Sequence, residues 1–192
     1  MNYYHYYHPG YRSSYAPPVT SYSYPYSQRY YSRETQQNGA VAYAEIKGGP
    51  LAPEIRGTVI LFETPHGTEV FAEVTGLPEY RPRNESKAPV GPHGFHIHEN
   101  GSCDIGEQNN PFQDAGGHWN PRNQPHGNHA GDFPVLFSNN GYSRMSFFTN
   151  KFSVRESIGK AIIIHENPDD FESQPSGDAG KRLACGVITQ LR

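Results

Sequence analysis

From residue 40 onward, short apolar runs rich in β-branched and aromatic residues alternate with polar clusters of Gly, Pro and Asn. The runs are too short for helices and suit strands, which sets the expected elements at 40–47, 57–63, 68–75, 94–99, 135–138, 142–149, 160–165 and 184–189. Thr64-Pro65-His66-Gly67 joins the second and third, and Asn139-Asn140-Gly141 joins the fifth and sixth. Both segments read as hairpin turns, because Gly and Asn accept the positive φ of tight connections. No amphipathic helix of useful length is expected. Eight short strands with long Gly/Pro/Asn-rich loops predict an all-β fold, an eight-stranded antiparallel Greek-key sandwich or flattened barrel.

The first 38 residues follow another pattern. Eleven of the 14 tyrosines lie between Tyr3 and Tyr31, among serines and prolines, with no Asp or Glu before Glu34. Apart from tyrosine, the stretch to Arg33 has only Met1, Ala16 and Val19 as apolar residues, too little buried surface to offset backbone ordering. Residues 1–38 therefore read as a disordered Tyr-rich tail and linker, and 39–192 as the folded domain. The tail carries +3 from Arg12, Arg29 and Arg33, within a formal net charge of −3 for the 192 residues. That balance predicts no nucleic-acid partner. No membrane association is expected either, since no run reaches the roughly 18 apolar residues of a spanning helix. No apolar stretch of the secretory type follows Met1, so no export signal is expected.

Ten histidines against two methionines and one tryptophan point to metal chemistry. Six of them form a pattern: His96 and His98 in Gly94-Phe95-His96-Ile97-His98-Glu99, then His118, His126 and His129 with Asp132, and finally His165 after Ala161-Ile162-Ile163-Ile164. Side chains alternate along a strand, so His96 and His98 share one face while Phe95 and Ile97 take the other. The Gly/Pro-rich loop bearing His118, His126, His129 and Asp132 has little reason to order without an organiser, and three imidazoles with a carboxylate suit zinc. His165 is placed to close a second site. His5, His8, His66 and His93 fall outside the pattern and read as ordinary polar side chains.

Five runs taken together, Gly94–Glu99, Ala115-Gly116-Gly117-His118-Trp119-Asn120-Pro121, His129-Ala130-Gly131-Asp132, Ile163-Ile164-His165-Glu166 and Gly180-Lys181-Arg182-Leu183-Ala184-Cys185-Gly186-Val187, closely resemble the copper–zinc superoxide dismutase family. The resemblance runs in order from about Ala40 to Leu191. It implies an oxidoreductase that uses a copper ion and a zinc ion to dismutate superoxide into oxygen and hydrogen peroxide. By position it assigns copper to His96, His98, His118 and His165, and zinc to His118, His126, His129 and Asp132, with His118 bridging both. It makes Asp169 the carboxylate that links a copper-ligand histidine to a zinc-ligand histidine, here His96 and His126. It also makes Arg182 a catalytic residue that attracts the anion, and pairs Cys103 with Cys185 in a disulfide. On the residues alone, two free thiols and a solvated loop acid at Asp169 stay open.

Three features depart from many relatives. His126 and His129 are only three apart, Leu77–Pro92 inserts a polar Pro-rich stretch before the His96 strand, and the loop 169–180 is acidic with no basic residue. Steering of an anion then rests on Arg182 and the metals. Two other function classes stand beside the enzyme: a copper/zinc-binding module without catalysis, and a structural surface-layer protein whose working part is the tail. Oligomeric state is not readable. The tail leaves two locations open, a cytoplasmic enzyme with a dispensable extension, or one anchored through spore-coat or other outer-layer proteins by tyrosine cross-linking.

Overall fold

The structure, a computed structural model, describes residues 41–191; the Tyr-rich tail at 1–38 lies outside them. Ten strands appear: β1 (Val41–Gly48), β2 (Arg56–Thr64), β3 (Gly67–Thr75), β4 (Phe95–His98), β5 (Gly106–Glu107), β6 (Asn110–Pro111), β7 (Ser143–Thr149), β8 (Ala161–His165), β9 (Arg182–Val187) and β10 (Thr189–Gln190). Eight of them build one curled antiparallel sheet in the order β4-β8-β9-β1-β2-β3-β7, with β10 beside β1, while β5 and β6 form a separate small ribbon. β1, β2 and β3 bury alternate residues, Ala42, Ala44 and Ile46, then Val59 and Leu61, then Val70, Ala72 and Val74, and show their other face to solvent. These residues join Phe95, Ile97, Ile162, Ile164 and Phe133 in the main core.

β4 and β8 are buried on both faces. Their inner residues enter the main core, whereas Ala161 and Ile163 pack with Phe112, Ala115 and Cys185 in a second, smaller cluster under the loops. β4 is the last strand of the sheet, and the histidine-bearing loop hydrogen-bonds along its outer edge. Trp119 N–H donates to Ile97 O (2.8 Å), Ile97 N–H to Gly131 O (2.9 Å) and Phe133 N–H to Phe95 O (3.3 Å). That backbone pairing places the loop's side chains beside those of β4.

Three expectations need correction. Residues 135–138 do not form a strand; Leu136 makes a single antiparallel bridge with His93. Pro134 lacks the N–H that the next rung, opposite Phe95, would require, and Phe133 supplies it out of register. The expected strand 184–189 begins earlier and divides into β9 and β10. A one-turn helix at Val154–Ser157, absent from the expected elements, is held by Ser153 N–H and Oγ on Glu156 Oε2 (2.7 Å each) and tied to β2 by Val154 N–H on Glu63 Oε2 (2.7 Å). The turn Asn139–Tyr142 does form, with φ of 53° at Asn140 and 81° at Gly141. The insertion before β4 folds back on itself through bridges Arg81–Val90 and Asn84–Lys87.

Cys103 and Cys185 are disulfide-bonded, with Cα atoms 5.6 Å apart and a sequence separation of 82. The bond fastens the loop after β4 to β9. On the chain-entropy model such a closure stabilises by about 4–5 kcal/mol. The Cys103→Ser/Cys185→Ser double variant should lose about that much in guanidinium unfolding of the metal-free protein; a change below about 1 kcal/mol would contradict this role for the bridge.

Candidate metal centre

The alternation on β4 sends Phe95 and Ile97 into the core and His96 and His98 to the loop-covered face. The register His96–Ile163 and His98–Ala161 sets β8 alongside, so His165, beyond a bulge after Ile164, ends on the same face. The edge pairing of the loop supplies the rest: isolated bridges place His118 opposite His98 and Asp132 opposite His96. Two groups result, His96 with His98, His118 and His165, and His118 with His126, His129 and Asp132. In each, the candidate ligand atoms all lie within 4.8 Å of one another. His118 belongs to both.

Hydrogen bonding fixes which nitrogen of His98 and of His165 faces inward. His98 Nδ1 sits 2.9 Å from Gly116 O and His165 Nδ1 sits 3.3 Å from Gly180 O. A carbonyl only accepts, so both Nδ1 atoms carry the proton and both Nε2 atoms present lone pairs. Those Nε2 atoms face each other at 3.2 Å. Two lone pairs at that distance repel unless a cation lies between them. His96 Nδ1, His118 Nε2, His126 Nδ1 and His129 Nδ1 are likewise buried without a hydrogen-bond partner. Unpaired buried polar atoms are costly, and converging imidazole lone pairs are what copper and zinc ions accept. The residues fit the two metals.

Asp132 anchors the second group, with Oδ1 3.1 Å from His118 Nδ1 and 3.3 Å from His129 Nδ1, and Oδ2 3.3 Å from His126 Nδ1. Oδ2 also accepts the N–H groups of Gly127 and His129 (2.9 Å each). Burial opposes its ionisation, but the bonds from His118 and the His129 N–H, with the neighbouring imidazoles, hold the carboxyl well below its usual range. Burial pushes His96 and His98 well down, and the adjacent imidazoles add to it. His165 is pushed down to about 3, chiefly by burial and then by His118. All three are neutral at ordinary pH, the state in which imidazole can accept a metal ion.

Asp169 stands behind both groups. Its Oδ2 meets His96 Nε2 at 2.5 Å and its Oδ1 meets His126 Nε2 at 2.8 Å, so one buried carboxylate orients a ring in each. The open alternative of a solvated loop acid is excluded by this geometry. Gly177 makes the approach feasible: at φ 65°, a Cβ there would overlap Asp169 Oδ1 and His126 Nε2.

His98, His118 and His165 border a cavity of about 550 Å³, together with Arg182. The guanidinium is half-buried and pinned by Nη1 to Phe112 O (2.5 Å) and Nη2 to Gly116 O (2.6 Å). The rim carries five carboxamides, Asn110, Gln113, Asn120, Gln124 and Gln174, and Arg182 is the one formally charged side chain in the lining among the described residues. Asp170, Glu172 and Asp178 are exposed but do not line the cavity. Asp170 instead closes its own loop, accepting from Glu172 N–H, Ser173 N–H and Ser173 Oγ.

The sequence pattern missed His93. Rather than an ordinary solvated residue, it is fully buried, with Nδ1 2.9 Å from the carbonyl of His165 and its backbone paired to Leu136. Its place in the chain held the signal, because at β-strand parity His93 falls on the face of Phe95 and Ile97. His66 is exposed in the β2–β3 turn, as expected, and His5 and His8 lie outside the described residues.

A family profile described as copper/zinc superoxide dismutase matches residues 55–188. A superoxide dismutase [Cu-Zn] of Deinococcus radiodurans is 35% identical over 155 residues, covering 72% of this chain and 79% of that protein. Superoxide dismutase [Cu-Zn] 2 of Aquifex aeolicus is 37% identical over 150 residues, covering 70% and 80%. The solved Cu/Zn superoxide dismutase from Brucella abortus superposes with a TM-score of 0.61 at 29% identity, covering 77% of this chain and 98% of that one.

The buried imidazoles set an acid limit on the metal-free protein. Their folded pKa values lie below the unfolded value near 6.5, so above that pH they contribute no slope, and below it only the unfolded state gains protons. Stability of the apoprotein should therefore fall as pH drops below about 6.5, by about 1.4 kcal/mol per pH unit for each such histidine. Asp132 adds a loss only as pH falls below its unfolded value of 3.8. Urea midpoints between pH 8 and pH 4 test this; a flat profile would contradict the buried, neutral state.

Proposed function

The chain belongs to the copper/zinc superoxide dismutase family, and on that premise we propose which residues carry the dismutation of two superoxide ions and two protons to oxygen and hydrogen peroxide. His96 Nδ1, His98 Nε2, His118 Nε2 and His165 Nε2 hold copper; His118 Nδ1, His126 Nδ1, His129 Nδ1 and Asp132 hold zinc. Bound there, copper supplies a one-electron couple that superoxide can both reduce and reoxidise, while zinc is redox-inert and fixes the loop. The observation that carries the reading is His118, which belongs to both groups, with Nδ1 3.1 Å from Asp132 Oδ1 and Nε2 buried without a hydrogen-bond partner.

Arg182 gives the cavity its positive charge, held in place by backbone carbonyls, and draws a small anion toward His98, His118 and His165. Burial lowers its pKa from the ordinary guanidinium value, while hydrogen bonds to backbone carbonyls favour the cation. His118 borders the cavity, and its Nε2 would take up a proton in the half-reaction that forms oxygen and give it up in the half-reaction that forms peroxide. Asp169 keeps the protons of His96 and His126 on Nε2, leaving their Nδ1 lone pairs toward the metals. A metal store without catalysis would leave the placement of Arg182 at the cavity without a purpose. Replacing His165 by Ala should bring dismutation down to the level of a free-copper control while one equivalent of zinc stays bound. Loss of both metals together would overturn the division of ligands.

The Tyr-rich tail supports a second, separable proposal: residues 1–33 fix the enzyme in a proteinaceous outer layer, such as a spore coat. Eleven phenols, free of neighbouring carboxylates, are suited to oxidative coupling. Two phenols each lose a hydrogen atom and join through a ring carbon–carbon bond, while one hydrogen peroxide is reduced to two waters; the dismutase provides that peroxide. Full-length protein expressed in the source organism should resist extraction and carry dityrosine, and a variant lacking 1–33 should extract with mild salt. Equal extraction of both would sink the proposal.

A further inference from the structure

We propose that Gln174 is a positioning residue for the zinc site, acting through the backbone of His126; the inference rests on the reading above that His126 holds zinc. His126 is 5% exposed and lies in a loop segment outside any strand or helix, so its N–H and C=O have no ladder partner. Both meet the same side chain. His126 N–H donates to Gln174 Oε1 (2.8 Å), and Gln174 Nε2 donates to His126 O (3.4 Å) and to Glu172 O (3.1 Å). Among the described residues no other hydrogen bond satisfies either His126 backbone atom. The carboxamide thus stands in for a neighbouring peptide group, and without it a nearly buried N–H would be left unpaired.

The loop that presents Gln174 is built to hold it there. Asp170 caps its turn, and Gly177 N–H returns to Ser173 O (2.8 Å). Asp169, at the base of the same loop, grips the His126 ring. His126 is therefore held at ring and backbone by one loop. Gln174 is itself exposed and sits on the cavity rim, so no core role explains it and its substitution removes no packing. The effect is confined to the second ligand set, because none of Gln174's hydrogen bonds reaches His96, His98 or His165.

The test compares copper- and zinc-loaded wild type with Gln174→Met, which keeps the shape and loses both bonds, and Gln174→Glu, which keeps the acceptor for His126 N–H. Zinc release to a chromophoric chelator is followed at high salt, which screens the charge of the glutamate, and cobalt is placed in the zinc site as a spectroscopic reporter. Gln174→Met should release zinc about tenfold faster, with copper retained and the cobalt absorption bands shifted. Gln174→Glu should recover most of the wild-type rate. Equal release from wild type and Gln174→Met, or parallel loss of copper, would overturn the role of Gln174. A wild-type chain that takes up no zinc would instead overturn the ligand assignment itself.

Discussion

The site depends on one buried carboxylate. Asp169 lies in a loop remote in sequence from both His96 and His126, yet it binds the outer nitrogen of each. Because a carboxylate in that position only accepts, it dictates the tautomer of both rings and aims both inner lone pairs at the metal positions. His98 and His165 achieve the same through backbone carbonyls, which is a looser arrangement but the same logic. The inner nitrogens of His96, His98, His126 and His165 are thereby committed with no ion present. The cost is a cluster of buried acceptors facing one another, and only cations relieve it.

This arrangement explains why the ligand loops can be long and rich in glycine and proline. They need little apolar content of their own, since they are fastened at a few points: the edge of β4, the Cys103–Cys185 bond and Asp169. The small cluster of Phe112, Ala115, Ala161, Ile163 and Cys185 fills the space beneath. Arg182 joins the same framework, since its carbonyl partners include Phe112, which belongs to that cluster, and Gly116, which also receives His98 Nδ1. Orientation of the guanidinium and of a ligand ring thus share one peptide oxygen.

Much of this was legible in the chain. Period-2 alternation placed His96 and His98 on one face, and the short apolar runs located most of the sheet, because strand geometry translates spacing directly into direction. Residue type alone marked His118, His126, His129, Asp132 and His165 as metal candidates, and the division between copper and zinc came from resemblance to a family. Residues 135–138 misled because an apolar run says nothing about whether its neighbours can donate; Pro134 cannot. The helix at Val154–Ser157 had a readable signal, Ser153 followed by Glu156, too short to register as a period. His93 was readable as a polar residue on an apolar parity. Gln174 was not, because its function lies in meeting a backbone 48 residues away.

The pairing of the histidine loop with the outer side of β4 has a further consequence. β4 ends the sheet, and an uncovered end strand offers its N–H and C=O groups to any extended chain nearby. Here that edge is occupied by the segments around Trp119, Gly131 and Phe133, which bear or adjoin the ligands. The loop that carries the candidate ligands is therefore also the guard of a self-adhesive border. The border is sealed from within the same chain, so the strand that builds the site is closed to pairing with a second copy.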